Sequence, residues 1–116
     1  MSRAIESAMS HFKDILAQGL KGPVNVPEWK LDIWYKPATT FNQEAKIVEL
    51  TSQGKTVEAL VEALIMRALD VDGKPIFART DKPELMRAVD PSVIMRIMTD
   101  INNPEDNAKI EESLGN

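Results

Sequence analysis

The chain has 116 residues, of which 43% are hydrophobic and 28% charged, with a net charge of −4 and no cysteine. This balance suits one globular domain and excludes disulfides and cysteine-based zinc sites. Lys and Arg are scattered among acids, which argues against nucleic-acid binding through a concentrated basic face. No apolar run is long enough to span a bilayer, so no membrane role is expected. The segment Met1–Glu6 lacks the apolar centre of a signal peptide, so the protein is expected to stay in the compartment where it is made. Aromatics are only 5%, so the core must be aliphatic and Met-rich.

Ile5, Ala8, Met9, Phe12, Ile15, Leu16 and Leu20 recur at helical spacing, with Glu6, Ser10, Lys13, Asp14 and Gln18 on the other side. This predicts an amphipathic helix, ended by Gly19 or Gly22 and barred from continuing by Pro23. From Pro27 the period changes to two. Trp29, Leu31, Ile33 and Tyr35 alternate with Lys30, Asp32, Trp34 and Lys36, which predicts a half-buried strand. It must pair with Val24–Val26, with residues near Ile76 or with another subunit, because its backbone groups need partners.

Thr40 and Gln43 fit a capping box. The helix they start runs through Ala45, Val48 and Leu50 to Gly54. Thr56 is expected to cap the next helix. Its apolar positions Val57, Leu60, Val61, Leu64, Ile65, Ala68 and Leu69 cover much of the circumference, as expected of the central core helix. A tight turn at Asp72-Gly73 follows, with Gly73 expected at positive φ. Asp81 is expected to cap a short helix bearing Leu85, Met86 and Val89. Asp90-Pro91 starts the last one, which bears Ile94, Ile97, Met98 and Ile101 and breaks at Asn102-Asn103-Pro104. The expected fold is thus mainly α: a small domain of about five helices with a minor β-strand or hairpin, covering residues 1–103. Residues 104–116 form an acidic tail expected to fray, because only Ile110 and Leu114 are large and apolar there.

No residue set suggests catalysis. His11 is the single histidine, lies beside Phe12 and has no carboxylate at ligand spacing, so a structural role is expected of it. Asp70, Asp72 and Asp81 do not make a calcium loop, because Pro75 and Lys74 occupy positions that such a loop reserves for Gly and a ligand. No phosphate-loop, dinucleotide or nucleophile-elbow pattern is present. The expectation is therefore no enzyme, no catalytic residue, no cofactor and no metal. Adaptable apolar side chains remain. Met fills irregular gaps and suits varied partners, and Trp34 opposes the core-facing positions of its strand. Trp34, Met86, Met95 and Met98 are the expected partner-binding residues, and Met66 belongs with the same group of helical methionines.

From Pro27 to Ile101 the chain resembles the tail assembly chaperones of long-tailed, lambda-like phages and prophages. The likeness rests on a strand-like segment, Trp29 to Tyr35, before a Thr-capped helix at Thr40-Phe41. An amphipathic helix then runs into Arg-Ala-Leu-Asp-x-Asp-Gly-Lys-x-x-Phe at Arg67 to Phe77. An acidic turn and helix follow at Asp81 to Leu85, with a last amphipathic helix at Pro91 to Ile101. The resemblance implies a late, non-enzymatic protein of the host cytoplasm that keeps the tape measure protein soluble and helps recruit tail tube subunits. It implies, for many such proteins, a longer form made by ribosomal frameshifting; many weak contacts along a long client would in turn favour self-association. It also implies absence from the mature virion. The rival readings are a structural tail or head-tail connector protein and, third, a small helix-turn-helix regulatory domain. The last is disfavoured because the final helix carries Arg96 offset by Asp100 rather than a row of basic residues.

Overall fold

The computed structural model describes residues 2–103. Among them are five α-helices and one two-stranded antiparallel sheet: α1 (Arg3–Leu16), β1 (Lys21–Val26), β2 (Leu31–Tyr35), α2 (Phe41–Ser52), α3 (Thr56–Arg67), α4 (Lys82–Arg87) and α5 (Pro91–Asn102). The fold is mainly α with a minor β-hairpin. The acidic segment 104–116 lies outside the described residues.

Local chemistry sets most boundaries. Ser2 accepts a hydrogen bond from the Ile5 N–H at 3.3 Å and caps α1. The Thr40 hydroxyl accepts from Gln43 N–H at 3.2 Å, while Gln43 Oε1 accepts from Thr40 N–H at 2.8 Å. That reciprocal box satisfies two N–H groups that helix geometry leaves unpaired. Asp90 accepts from Ser92 N–H at 2.9 Å to start α5. Its pairing with Ser92 holds the Asp90 carboxyl below the usual carboxylate range.

Some boundaries differ from expectation. α1 stops at Leu16, before the glycines, so Leu20 lies beyond its stripe. Thr56 is the first helical residue of α3 rather than its cap. Lys55 takes the cap position without a side-chain bond, because Gly54 at φ +78° has just closed α2 and leaves only Lys55 before α3 begins. Asp81 does not cap α4. Its carboxylate accepts from Ala78 N–H at 2.8 Å, so it closes a 3₁₀ turn, Arg79–Asp81, from which α4 continues directly. Trp29 lies in another 3₁₀ turn, Pro27–Trp29, and not in the strand. Lys30 at φ 57° then reverses the chain into β2. Trp29 still reaches the core, edge-on to Phe77 with ring centroids 6.0 Å apart, which is why it matched the strand's alternation.

β2 pairs with β1, Ile33 opposite Val24 and Leu31 opposite Val26. Its other edge exchanges two 2.8 Å backbone hydrogen bonds between Trp34 and Leu69, and Leu69 in turn bridges Pro75. The strand thus pairs with the Val24–Val26 segment as expected, while its other edge is taken by Leu69, and the residues near Ile76 join only through Ala68 and Leu69. Val24, Val26, Ile33 and Tyr35 face the core, where they meet Val61, Leu64 and Ile65 of α3 and Ile94, Ile97 and Ile101 of α5. α3 is the hub, packed against α2, α4 and α5.

The loop after α3 folds on Asp70. Its carboxylate accepts from Asp72 N–H at 2.8 Å and Lys74 N–H at 3.0 Å, and Gly73 sits at φ +83°. A Cβ on Gly73 would meet only the Leu20 side chain at ordinary contact distance. Substitution there is thus a nearly pure test of backbone conformation. Gly73→Val is expected to cost about 1 kcal/mol or more, because β-branched residues resist positive φ. Urea denaturation reads it, and an unchanged midpoint would contradict the argument.

Candidate functional site

The described residues hold no group of three His, Asp or Glu side chains able to share a metal ion, and none of their helices is long and apolar enough to cross a membrane. What the surface offers is apolar. α1 buries none of its side chains. Ile5 is 45%, Met9 49% and Leu16 37% exposed, with Phe12 and Ile15 half-buried. The same kind of stripe on α5 is fully used, with Val93, Ile94, Ile97, Met98 and Ile101 all buried. Two amphipathic helices of one chain thus have opposite fates.

A second apolar feature lies over α3. Thr56, Ala59, Leu60, Ala63, Met66 and Arg67 form one face of that helix, walled by Glu44, Ile47 and Thr51 of α2 and by Met98 and Asn102 of α5. They enclose an open groove of about 320 Å³. Its floor is low where Ala59 and Ala63 supply only methyl groups. Arg67 stands at one end, beside a neighbouring cavity lined by Ile15, Tyr35 and Ile101. The Arg67 guanidinium lies 5.8 Å from the Tyr35 ring centroid and donates to Lys36 O at 3.0 Å. Its Nε is buried without a hydrogen-bond partner among the described residues. Burial pushes the Arg67 pKa down, opposed by Glu44 and Tyr35. The same burial pushes the Tyr35 hydroxyl up.

The four expected partner-binding residues differ in exposure. Met86 is 42% and Met95 55% exposed. Trp34 is on the hairpin face opposite Ile33 and Tyr35, as the alternation requires, but is half-buried rather than open. Met98 is a correction. It is 3% exposed and belongs to the core, because it sits four residues after Ile94 on the same buried stripe. Its surface role gives way to packing at the groove wall. His11 is exposed on α1.

Sequence reasoning missed the groove and the bare face of α1. No local signal marks either one. A stripe is equally apolar whether its own chain or another covers it, and Ala59 and Ala63 read as ordinary good helix formers. It also missed Glu62, 4% exposed, whose carboxylate accepts from Lys82 Nζ at 2.8 Å and Arg79 at 3.3 Å. Arg96 is not free to meet phosphates. It forms a bidentate pair with Glu28, one arm at 2.9 Å, and its guanidinium holds the Glu28 carboxyl down to about 2.

No protein-family model and no curated protein matches the chain in sequence. In fold it is similar to a solved structure, the bacteriophage HK97 tail assembly chaperone, with a TM-score of 0.58 and 20% sequence identity. The match covers 79% of this chain and 91% of that one.

Proposed function

We propose that this chain is a phage tail assembly chaperone. It binds the tape measure protein, keeps it soluble, helps recruit tail tube subunits in the host cytoplasm, and is left out of the finished virion. The observation that carries the reading is the likeness of fold, which spans 91% of the HK97 chaperone chain. The surface supports it. A protein that shields long apolar helices needs exposed, adaptable apolar side chains, and Ile5, Met9, Leu16, Met86 and Met95 provide them. Trp34 and the two exposed methionines remain the proposed client contacts. Self-association, including with a frameshift-extended form, fits a client that presents many weak sites, because multivalency raises avidity without strong individual contacts.

Co-expression tests the proposal. The tape measure protein should remain in the soluble fraction with this chain and aggregate without it. Trp34→Ala with Met95→Ala should lower the soluble fraction severalfold while leaving the far-UV spectrum unchanged. Full protection by the folded double variant would move the contact surface elsewhere. A wild type that gives no protection and is found by proteomics in purified virions would replace the chaperone with the connector reading.

A further inference from the structure

We infer that the groove over α3 is a seat for the chain's own segment 104–116. The segment turns back along α3 and closes the groove, with an acidic side chain on Arg67 and with Ile110 and Leu114 on the apolar floor. The inference stands apart from the chaperone reading, since it needs no client.

The described chain ends at the mouth of the groove. Asn102, the last residue of α5, lines both the groove and the neighbouring cavity, and Arg67 is the other residue common to the two. Asn103 leaves helical geometry at φ −133° and ψ 54°, and Pro104 has no N–H with which to continue α5. From Arg67 the groove runs back along α3 past Ala63 and Ala59, about 12 Å at the helical rise per residue. The nine steps from Glu105 to Leu114 cover about 14 Å as a helix and about 30 Å extended. The segment spans the floor in either form.

The charges match at the near end. Arg67 joins no ion pair among the described residues, although its side chain is half-buried and its Nε has no hydrogen-bond partner there. A cation taken out of water is costly unless a counter-charge meets it. Glu105 and Asp106 follow within four residues of Asn102, where a carboxylate can accept charge-assisted hydrogen bonds from the guanidinium. Glu44 is the acid that lines the groove wall. Lys109, the one base of the segment against four acids, comes next along the chain as its counter-charge.

Beyond Arg67 the floor is apolar and low, because Ala59 and Ala63 supply only methyl groups. Ile110 and Leu114, the two large apolar residues of the segment, stand four apart, the spacing that puts two side chains on one face of a helix. A volume of about 320 Å³ takes a few aliphatic side chains and not a whole helix. Two anchors, too few to build a core, are enough for a seat of this size. No α1 residue lines the groove, so within the chain the position is left to the segment that follows α5.

Anilinonaphthalene sulfonate, a dye that fluoresces on exposed apolar surface, reads whether the groove is open. In the full chain, Ile110→Ser with Leu114→Ser should raise dye fluorescence severalfold with the far-UV spectrum unchanged. Adding Ala63→Leu, which fills the floor, should abolish the rise. No rise, or a rise that Ala63→Leu leaves intact, overturns the inference, because the surface uncovered is then not the groove. Should Ala63→Leu not fold, cross-linking decides, because the chain has no cysteine of its own. Leu60→Cys with Leu114→Cys should be joined within one chain by a short bismaleimide. A product of twice the chain mass would seat the segment in the groove of another copy, and no linkage at all would leave the groove empty; either result overturns the inference. Urea melts of Arg67→Gln, of Glu105→Gln with Asp106→Asn, and of all three together read the charge contact. The combined midpoint shift should fall short of the sum of the separate shifts, and an additive result overturns the contact with Arg67.

Discussion

Leu64→Ala is expected to lower the unfolding free energy by roughly 3–5 kcal/mol, near the upper end for truncation of a buried leucine. Leu64 is fully buried at the centre of α3, the helix that α2, α4 and α5 all pack on. Removing its side chain leaves a void bordered by three helices and the hairpin. No one element can relax into it without losing contacts elsewhere, so the cavity should persist. For a domain near 100 residues each kcal/mol lowers Tm by about 4–8 °C, so a fall of more than about 12 °C is expected. Thermal denaturation by circular dichroism reads it. Val57→Ala, on the same helix but 58% exposed, should change stability by less than about 0.5 kcal/mol. Equal losses at the two positions would mean that α3 is not the hub.

The second large effect lies at Glu62. Lys82→Met is expected to cost about 2–3 kcal/mol. It leaves a carboxylate that is 4% exposed with only the 3.3 Å contact to Arg79, whose own side chain is 75% exposed. Breaking one side of a buried ion pair costs more, about 3–5 kcal/mol. The lower figure reflects that Lys82 is itself 27% exposed and so partly screened. Glu62→Leu combined with Lys82→Met should recover much of the loss, since a buried ion pair and an apolar pair of similar volume are often near equal in stability. Urea melts of both single variants and the double variant form the cycle. A double variant as unstable as Lys82→Met alone would show that Lys82 acts through Glu58, its other partner at 2.8 Å, and not through Glu62. Hydrogen bonds to Glu58 and then Glu62 raise the Lys82 pKa above its ordinary 10.5. A raised amine stabilises the fold fully below the unfolded value and ceases to as pH rises through the folded one. The wild type should therefore lose this contribution only in strong alkali, and Lys82→Met should not show that loss.

Where the chain turns and where helices begin was legible in the sequence, because those decisions are settled within a few residues. Thr40 and Gln43 satisfy each other's backbone groups three positions apart, and Gly73 turns because it alone among the nearby residues tolerates positive φ without strain. Asp90 caps whatever helix follows it. The exceptions have the same local scale. Asp81 found the Ala78 N–H one turn earlier than expected, and Trp29 matched a period of two while lying in a 3₁₀ turn.

What the sequence by itself determined is the set of apolar faces and the points where the backbone changes direction. Periodicity states that a face must leave water, and it does so with equal force for α1 and α5. Only the tertiary structure decided which faces are covered. Hairpin, α3 and α5 close around one another and take Met98 inside while Met95, three residues earlier, stays out. They seal Glu62 against Lys82 and Arg79 and leave α1 uncovered. The reason is that burial belongs to pairs of surfaces. A stripe of Ile, Met, Phe and Leu fixes one member of the pair, and the other is supplied by residues distant in the chain or on another chain. No local pattern records which.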